Sequence, residues 1–249
     1  MTQSDQTAYA IGDIHGHLDL LDRAHALIEA DRARHGLSGA PVVHIGDLVD
    51  RGPESRGVID RLMGGIAQGQ NWVVLRGNHD RMFARFLDSP ARQDPGLRPI
   101  FTWLHPRIGG AETLAAYGVH AAGDRPVGRV HADAVRRVPQ KHRAFLAGLP
   151  NFHQLGGLLF VHAGIRPAVA LADQTETDLV WIRDDFLNHP DPHPWLVIHG
   201  HTAIDAARHY GNRVNIDSSA AYGGPLSAVV IEGTEVCLLT EARRVPLRP

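Results

Sequence analysis

An α/β fold with mainly parallel strands is predicted from three features of this 249-residue sequence. A short strand, a polar turn containing Gly and a helix recur three times before residue 90. Apolar runs of strand length resume after residue 151. Between them, residues 89–150 show helical spacing and no pattern for a buried strand.

"TAYAIGD" is a strand ending in Gly12 and Asp13, and "HLDLLDRAHALIEADRARHG" is a helix begun by His17 and closed by Gly36. "PVVHIGDLVDRG" repeats the strand and turn, and "PESRGVIDRLMGGIAQ" repeats the helix with Pro53 near its start. "NWVVLRGNHD" and "RMFARFLDS" are the third pair. In the middle, "GGAETLAAYG" and "ADAVRRVPQKHRAFLAGL" read as helices joined by Pro- and Gly-containing loops, a helical insertion expected near the mouth of a site. Strands return in "GLLFVHAG", "DLVWIRDDF", "WLVIHGH", "NRVNIDSS" and "LSAVVIEGTEVCLLT", the last a hairpin on Glu232 and Gly233. With no further repeat and no long linker, one domain across residues 1–249 is expected.

Composition narrows the function classes. A content of 43% hydrophobic and 21% charged residues is ordinary for a globular chain. The net charge of -2 and pI near 6.8 supply no basic field, so neither nucleic acid nor membrane is an expected partner. The single cysteine, Cys237, excludes an internal disulfide framework, fits a reducing compartment and is expected to be buried and inert. The opening "MTQSDQTAYAIGD" lacks the basic region and apolar core of a secretion signal. No apolar run approaches the ~20 residues that span a membrane. A cytoplasmic enzyme is expected.

In such folds the carboxyl ends of the strands line the ligand crevice. Here they carry "GDIHG" with Asp13 and His15, "GDLVDRG" with Asp47, Asp50 and Arg51, and "RGNHD" with Asn78 and His79. They also carry "VHAG" with His162 and "HGHT" with His201. Any one of these has an ordinary explanation. Gly-Asp after a strand is a common turn whose carboxylate caps the next helix, and a lone His at a strand end is commonly a hydrogen-bonded structural residue. Five together form a ligand set of carboxylate, amide oxygen and imidazole for Mn, Fe or Zn, and so many ligands call for two divalent ions.

With these motifs in this order, the chain from "GDIHG" to "VNIDSSAAYGG" resembles the calcineurin-like metallophosphoesterase superfamily. Within it, the likeness is to the phosphoprotein phosphatase family, which includes bacterial serine/threonine phosphatases and symmetrical diadenosine tetraphosphatases. The likeness is weakest across the insertion. It implies a four-layer α/β/β/α sandwich with the insertion near the active site. It implies that Asp13 and His15 hold a first metal, that Asp47 bridges two, and that Asn78, His162 and His201 complete the second. Manganese is the ion foremost implied, with iron, zinc or nickel as alternatives. Two such ions about 3.5–4 Å apart clamp a phosphate and acidify a shared water, so a bridging hydroxide attacks phosphorus directly. His79 is implied as the acid for the leaving oxygen, with Asp50 holding its tautomer. Arg51 and Arg183, with Asn78 beside them, would grip the phosphate.

Ala203 stands where many phosphodiesterases and nucleases of the superfamily place the second His of Gly-His-x-His, and this favours a phosphatase. The resemblance implies phosphoserine or phosphothreonine in proteins as the first substrate and symmetrical diadenosine tetraphosphate as the second. A catalytically silent metal-binding interaction module is third. Asp50 favours the first, because tetraphosphatases of that kind often replace it. Asp80 in place of the Glu of "GNHE" weighs against it, as does "SSAAYGG" in place of the eukaryotic-type substrate loop. His44 and His199 are expected to pack or to stand behind the ligands, and Tyr222 to pack in preference to lining the pocket. For Asp217, at the end of "VNID", orienting a ligand from behind is the lesser of two readings, and it is not counted among the site residues.

Overall fold

The structure, a computed structural model, describes residues 6–249. Residues 1–5, on which part of the leader expectation rests, lie outside the described residues. The three opening βα units are β1 (Thr7–Ile11) with α1 (Leu18–His35), β2 (Val42–His44) with α2 (Ser55–Ala67), and β3 (Trp72–Val74) with α3 (Asn78–Asp88). Helices α4 (Gly110–Ala116), α5 (Val127–Arg137) and α6 (Gln140–Gly148) form the insertion, the last two parted at Pro139. Then come β4 (Phe152–Leu155), β5 (Leu158–Val161), α7 (Glu176–Trp181), α8 (Asp184–Leu187), β6 (Leu196–His199), β7 (Arg208–His209) and β8 (Arg213–Asn215). Strands β9 (Ala228–Glu232), β10 (Glu235–Leu239) and β11 (Arg244–Leu247) close the chain.

The strands form two sheets, ordered β11-β10-β9-β1-β2-β3 and β4-β5-β6-β8-β7. Strands β1, β2 and β3 are mutually parallel, as are β5, β6 and β8. Side chains two apart on a strand share a face, and this alternation builds the layers. Ala8, Ala10, Val43 and Ile231 of the first sheet meet Leu158, Phe160, Ile198 and Val214 of the second in one apolar cluster between the sheets. Tyr9, Ile11 and Val42 face the other way, into the cluster of Leu21, Ile28, Val58, Leu62 and Phe83 from α1, α2 and α3. Leu159, Val161 and Val197 point to Leu179, Ile182 and Phe186 on the outside of the second sheet. The result is the expected four-layer α/β/β/α sandwich. Trp103, Leu114, Tyr117 and Leu146 of the insertion belong to the outer cluster of the first sheet.

One expected strand is helical. "DLVWIRDDF" forms the end of α7 and the start of α8, with Arg183 at the break. Thr175 caps α7 by accepting from the Asp178 amide at 3.1 Å, and Leu179, Ile182 and Phe186 fall at helical spacing on the buried face. Strands β4, β7 and β11 lie at sheet edges, half exposed, and carry too weak an apolar pattern to be read from sequence. The β9–β10 hairpin turns where expected, with Glu232 opposite Glu235. Among the described residues no helix is long and apolar enough to cross a membrane.

Candidate metal centre and active site

The polar residues collect where the parallel strands end. Asp13 and His15 follow β1, Asp47, Asp50 and Arg51 follow β2, and Asn78 and His79 open α3 just after β3. His162 follows β5 and His201 follows β6. His15, Asp47, Asp50, Arg51 and His201 all have φ between 46° and 73°, the left-handed region that side chains beyond Gly seldom adopt. Such strain costs of order 1–3 kcal/mol per residue and persists where the surroundings fix it, commonly at functional sites. Gly200 lets His201 turn in from the end of β6. A Cβ there would lie 1.9 Å from Asp13 Oδ1.

Main-chain carbonyls orient the imidazoles. His15 Nδ1 donates to the Val49 carbonyl and His162 Nδ1 to that of Ile45, each at 2.9 Å. A carbonyl can only accept, so the hydrogen sits on Nδ1 and the Nε2 lone pair of each ring faces inward. His162 Nε2 then lies 2.9 Å from Asn78 Oδ1 and 3.4 Å from Asp47 Oδ1. His201 Nδ1 is also 2.9 Å from Asn78 Oδ1, and His15 Nε2 is 3.4 Å from Asp47 Oδ2. The His162 Nε2 lone pair therefore faces only the oxygens of Asn78 and Asp47, an arrangement that a cation relieves. Two groups of side chains could hold an ion, His15, Asp47 and His79, and Asp47, His162 and His201, with Asp47 shared. Asp13 is in neither group, but its Oδ1 is buried with no hydrogen-bond partner, as is His201 Nε2. The donor set fits divalent metal ions.

The electrostatics agree. Burial pushes the Asp13 carboxyl up, helped by Asp217 and Asp47 nearby. Burial also works to raise Asp47, while any positive charge at the surrounding His162, His79, His15 and His201 draws it below the usual carboxylate range. Burial lowers His15, His162 and His201, keeping the rings neutral, as ligands must be.

Asp50 and His79 form a buried pair, Oδ2 to Nδ1, at 2.6 Å. Arg51 spans the floor, with Nη1 2.7 Å from His15 Nε2 and Nη2 3.1 Å from His79 Nε2. Its guanidinium lies 5.1 Å from the ring centre of Tyr222. Arg183, exposed at the rim, donates to Thr202 Oγ1 at 2.8 Å and to the His201 carbonyl at 3.2 Å. A cleft of about 600 Å³ opens over these residues, bounded by Leu97, Arg98, Phe101 and Ile108 of the insertion. The insertion thus stands at the mouth, as expected.

Other polar residues sort differently. Tyr222 does not pack: it is 67% exposed and lines the cleft, because a 3-10 turn at Ala220–Tyr222 lifts it over Arg51. Asp217 lines the cleft too, buried, with its carboxyl pushed up to about 6 by burial. Asp80 accepts from the Gly77 amide at 2.8 Å and the Leu48 amide at 2.9 Å, tying the start of α3 to the loop after β2. His44 is buried between the Val73 carbonyl and His25, and His199 between Arg213 and Phe186, so both pack. Cys237 is half-buried, and burial raises its thiol. Trp103 and Thr113, which bond Asp50, carried no motif that marked them in the sequence.

Known proteins resemble this chain across its length. A bis(5'-nucleosyl)-tetraphosphatase PrpE, designated asymmetrical, from Anoxybacillus flavithermus is 28% identical over 238 residues, covering 88% of each chain. Serine/threonine-protein phosphatase 1 of Salmonella typhimurium is 27% identical, over 90% of this chain and 91% of its own. The tetraphosphatase relatives carry the asymmetrical designation, whereas the sequence resemblance implied the symmetrical kind. The fold matches the crystal structure of a candidate diadenosine tetraphosphatase with a TM-score of 0.63 at 20% identity, covering 98% of this chain and 94% of that one. It also matches the cold-active protein-tyrosine phosphatase of a psychrophilic Shewanella, with a TM-score of 0.58 at 16% identity, covering 98% and 81%. The calcineurin-like phosphoesterase profile matches residues 7–231, and the chain belongs to that family of phosphoester hydrolases.

Proposed function

We propose that the chain is a dinuclear metal-dependent phosphatase of phosphomonoesters, foremost phosphoserine and phosphothreonine in proteins. Asp13, His15 and Asp47 would hold one ion, and Asp47, Asn78, His162 and His201 the other, with manganese foremost. Bound there, the ions supply Lewis-acid charge that polarises the phosphoryl group and acidifies water. Arg51 and Arg183, which both line the cleft, would take phosphate oxygens together with the Asn78 amide. His79, held at Nδ1 by Asp50, would give a proton from Nε2 to the leaving oxygen as the P–O bond breaks.

The Asp50–His79 pair carries the reading. An alkoxide leaving from a serine or threonine ester needs a proton, whereas a nucleotide leaving from a polyphosphate departs as a stabilised anion. A buried acid pair at the floor of the cleft suits the harder leaving group. The test compares kcat/KM on a phosphoserine peptide and on diadenosine tetraphosphate, each with manganese. Greater turnover of the peptide is expected, and turnover of the dinucleotide far above it would overturn the order.

A second reading, a dinucleoside tetraphosphatase, draws on the aromatic rim. Tyr222 and Phe101 border a cleft roomy enough for a nucleotide, and base stacking on an exposed ring is worth about 1–3 kcal/mol. The names of several relatives favour it too. The core shared by the insertion and α1–α3 supports one domain for the chain.

A further inference from the structure

We propose that the insertion is part of the acid machinery: Trp103 and Thr113 are positioning residues that hold Asp50, and through it His79, for proton delivery to the leaving oxygen. The inference rests on the phosphatase reading above.

Both oxygens of the Asp50 side chain accept hydrogen bonds, and two of its three partners come from the insertion. Trp103 Nε1 donates to Oδ2 at 2.9 Å, beside the His79 Nδ1 contact at 2.6 Å. Thr113 Oγ1 donates to Oδ1 at 2.7 Å and accepts from the Asp50 amide at 2.8 Å. Indole can only donate, and the single hydroxyl hydrogen of Thr113 goes to Oδ1 because its lone pairs serve the amide and Ser55. Both carboxylate oxygens therefore face donors, and the hydrogen shared with His79 belongs to Nδ1. His79 Nε2 then faces the cleft and accepts from Arg51 at 3.1 Å, so it would deliver a proton as imidazolium once Arg51 turns to the phosphate.

The hold is rigid. Asp50 and Thr113 are fully buried and Trp103 is nearly so. The Trp103 ring stacks at 5.2 Å on Phe83 and lies 4.7 Å from Phe86, both on α3, the helix that His79 opens. Gly109, at φ +91°, accepts from the Arg51 amide, and a Cβ there would lie 2.4 Å from that nitrogen. The insertion thus presses against Asp50 and Arg51 without touching His15, His162 or His201 through any hydrogen bond described. Its effect should fall on the proton and spare the metal ligands.

The experiment uses the full chain with manganese and two substrates. p-Nitrophenyl phosphate releases a phenolate that needs little protonation, and a phosphoserine peptide releases an alkoxide that needs it. Trp103→Phe, Thr113→Val and Thr113→Ser are compared with His79→Asn. Trp103→Phe and Thr113→Val should each lower kcat on the peptide about 10–100-fold. On p-nitrophenyl phosphate the loss should stay below about threefold, and Thr113→Ser should restore most of the peptide rate. Equal losses on the two substrates, or no loss on either, would overturn the proposal. If His79→Asn loses the peptide selectively while Trp103→Phe and Thr113→Val do not, this proposal fails and the phosphatase reading stands. If His79→Asn shows no selective loss, the acid assignment and this proposal fall together.

Discussion

The two walls of the cleft are held in different ways. On the sandwich wall, the main chain orients the imidazoles, through the Val49 carbonyl for His15 and the Ile45 carbonyl for His162. On the insertion wall, side chains do the work: Trp103 and Thr113 hold Asp50, and Asp94 holds Arg81 and Trp181. A main-chain carbonyl is present whatever the side chain, so the first wall depends on the fold. The second depends on particular residues. Substitutions behind the candidate ligands should therefore be tolerated on one wall and felt on the other, while the candidate ligands themselves should be the most sensitive of all.

The largest effect should come from Asp47→Asn, which removes the charge common to both proposed ion sites. A loss of about 10³–10⁴ in kcat/KM is expected, together with a fall in bound manganese measured by plasma mass spectrometry. Activity within tenfold of the parent would remove Asp47 from the centre. On the insertion wall, Asp94→Asn would leave the buried Arg81 guanidinium, which Asp94 pairs through both oxygens at 2.7 Å, with only the Glu176 carboxylate at 3.7 Å to balance its charge. Urea unfolding should show a loss of about 3–5 kcal/mol. A change below about 1 kcal/mol would mean that side chains do not anchor that wall.

Behind the sandwich wall, the prediction concerns acid. Burial, with His44 and nearby arginines, holds His25 down at about 2, and burial holds His44 at about 4. Both lie below the ordinary histidine value near 6.5, so the unfolded chain takes up protons first as pH falls. Stability present above about pH 6.5 is then lost toward pH 4, by about 3 kcal/mol from His44 at full effect. His25→Phe, which keeps a ring stacked on Trp72, should flatten that slope. An unchanged slope would place the acid sensitivity elsewhere. The smallest effect belongs to Tyr222→Ala at the rim. Loss of an exposed cation–π contact should raise KM about two- to fivefold and leave kcat alone. A much larger rise with diadenosine tetraphosphate alone would favour the dinucleotide reading.

How far each wall was legible follows from the same contrast. The five motifs of the sandwich wall stand out because each concentrates Asp, Asn or His at the end of a short apolar run. Arg183 was found by its motif even though its surroundings are helical rather than extended. Tyr222 was misread because a ring in a small-residue loop gives no sign of which way the turn lifts it. Trp103 and Thr113 meet Asp50 across 53 and 63 residues of chain, with no period linking them to it. The helices of the insertion could be recognised, but what their side chains reach could not.

The central claim is that a pair of divalent ions held at Asp47 drives hydrolysis. Manganese titrated into chelated protein, with binding and p-nitrophenyl phosphate turnover followed together, tests it most directly. Two ions bound per chain, with activity rising as the second is taken up, is the result the account predicts. Full activity with a single ion, or undiminished activity after chelation, would contradict it.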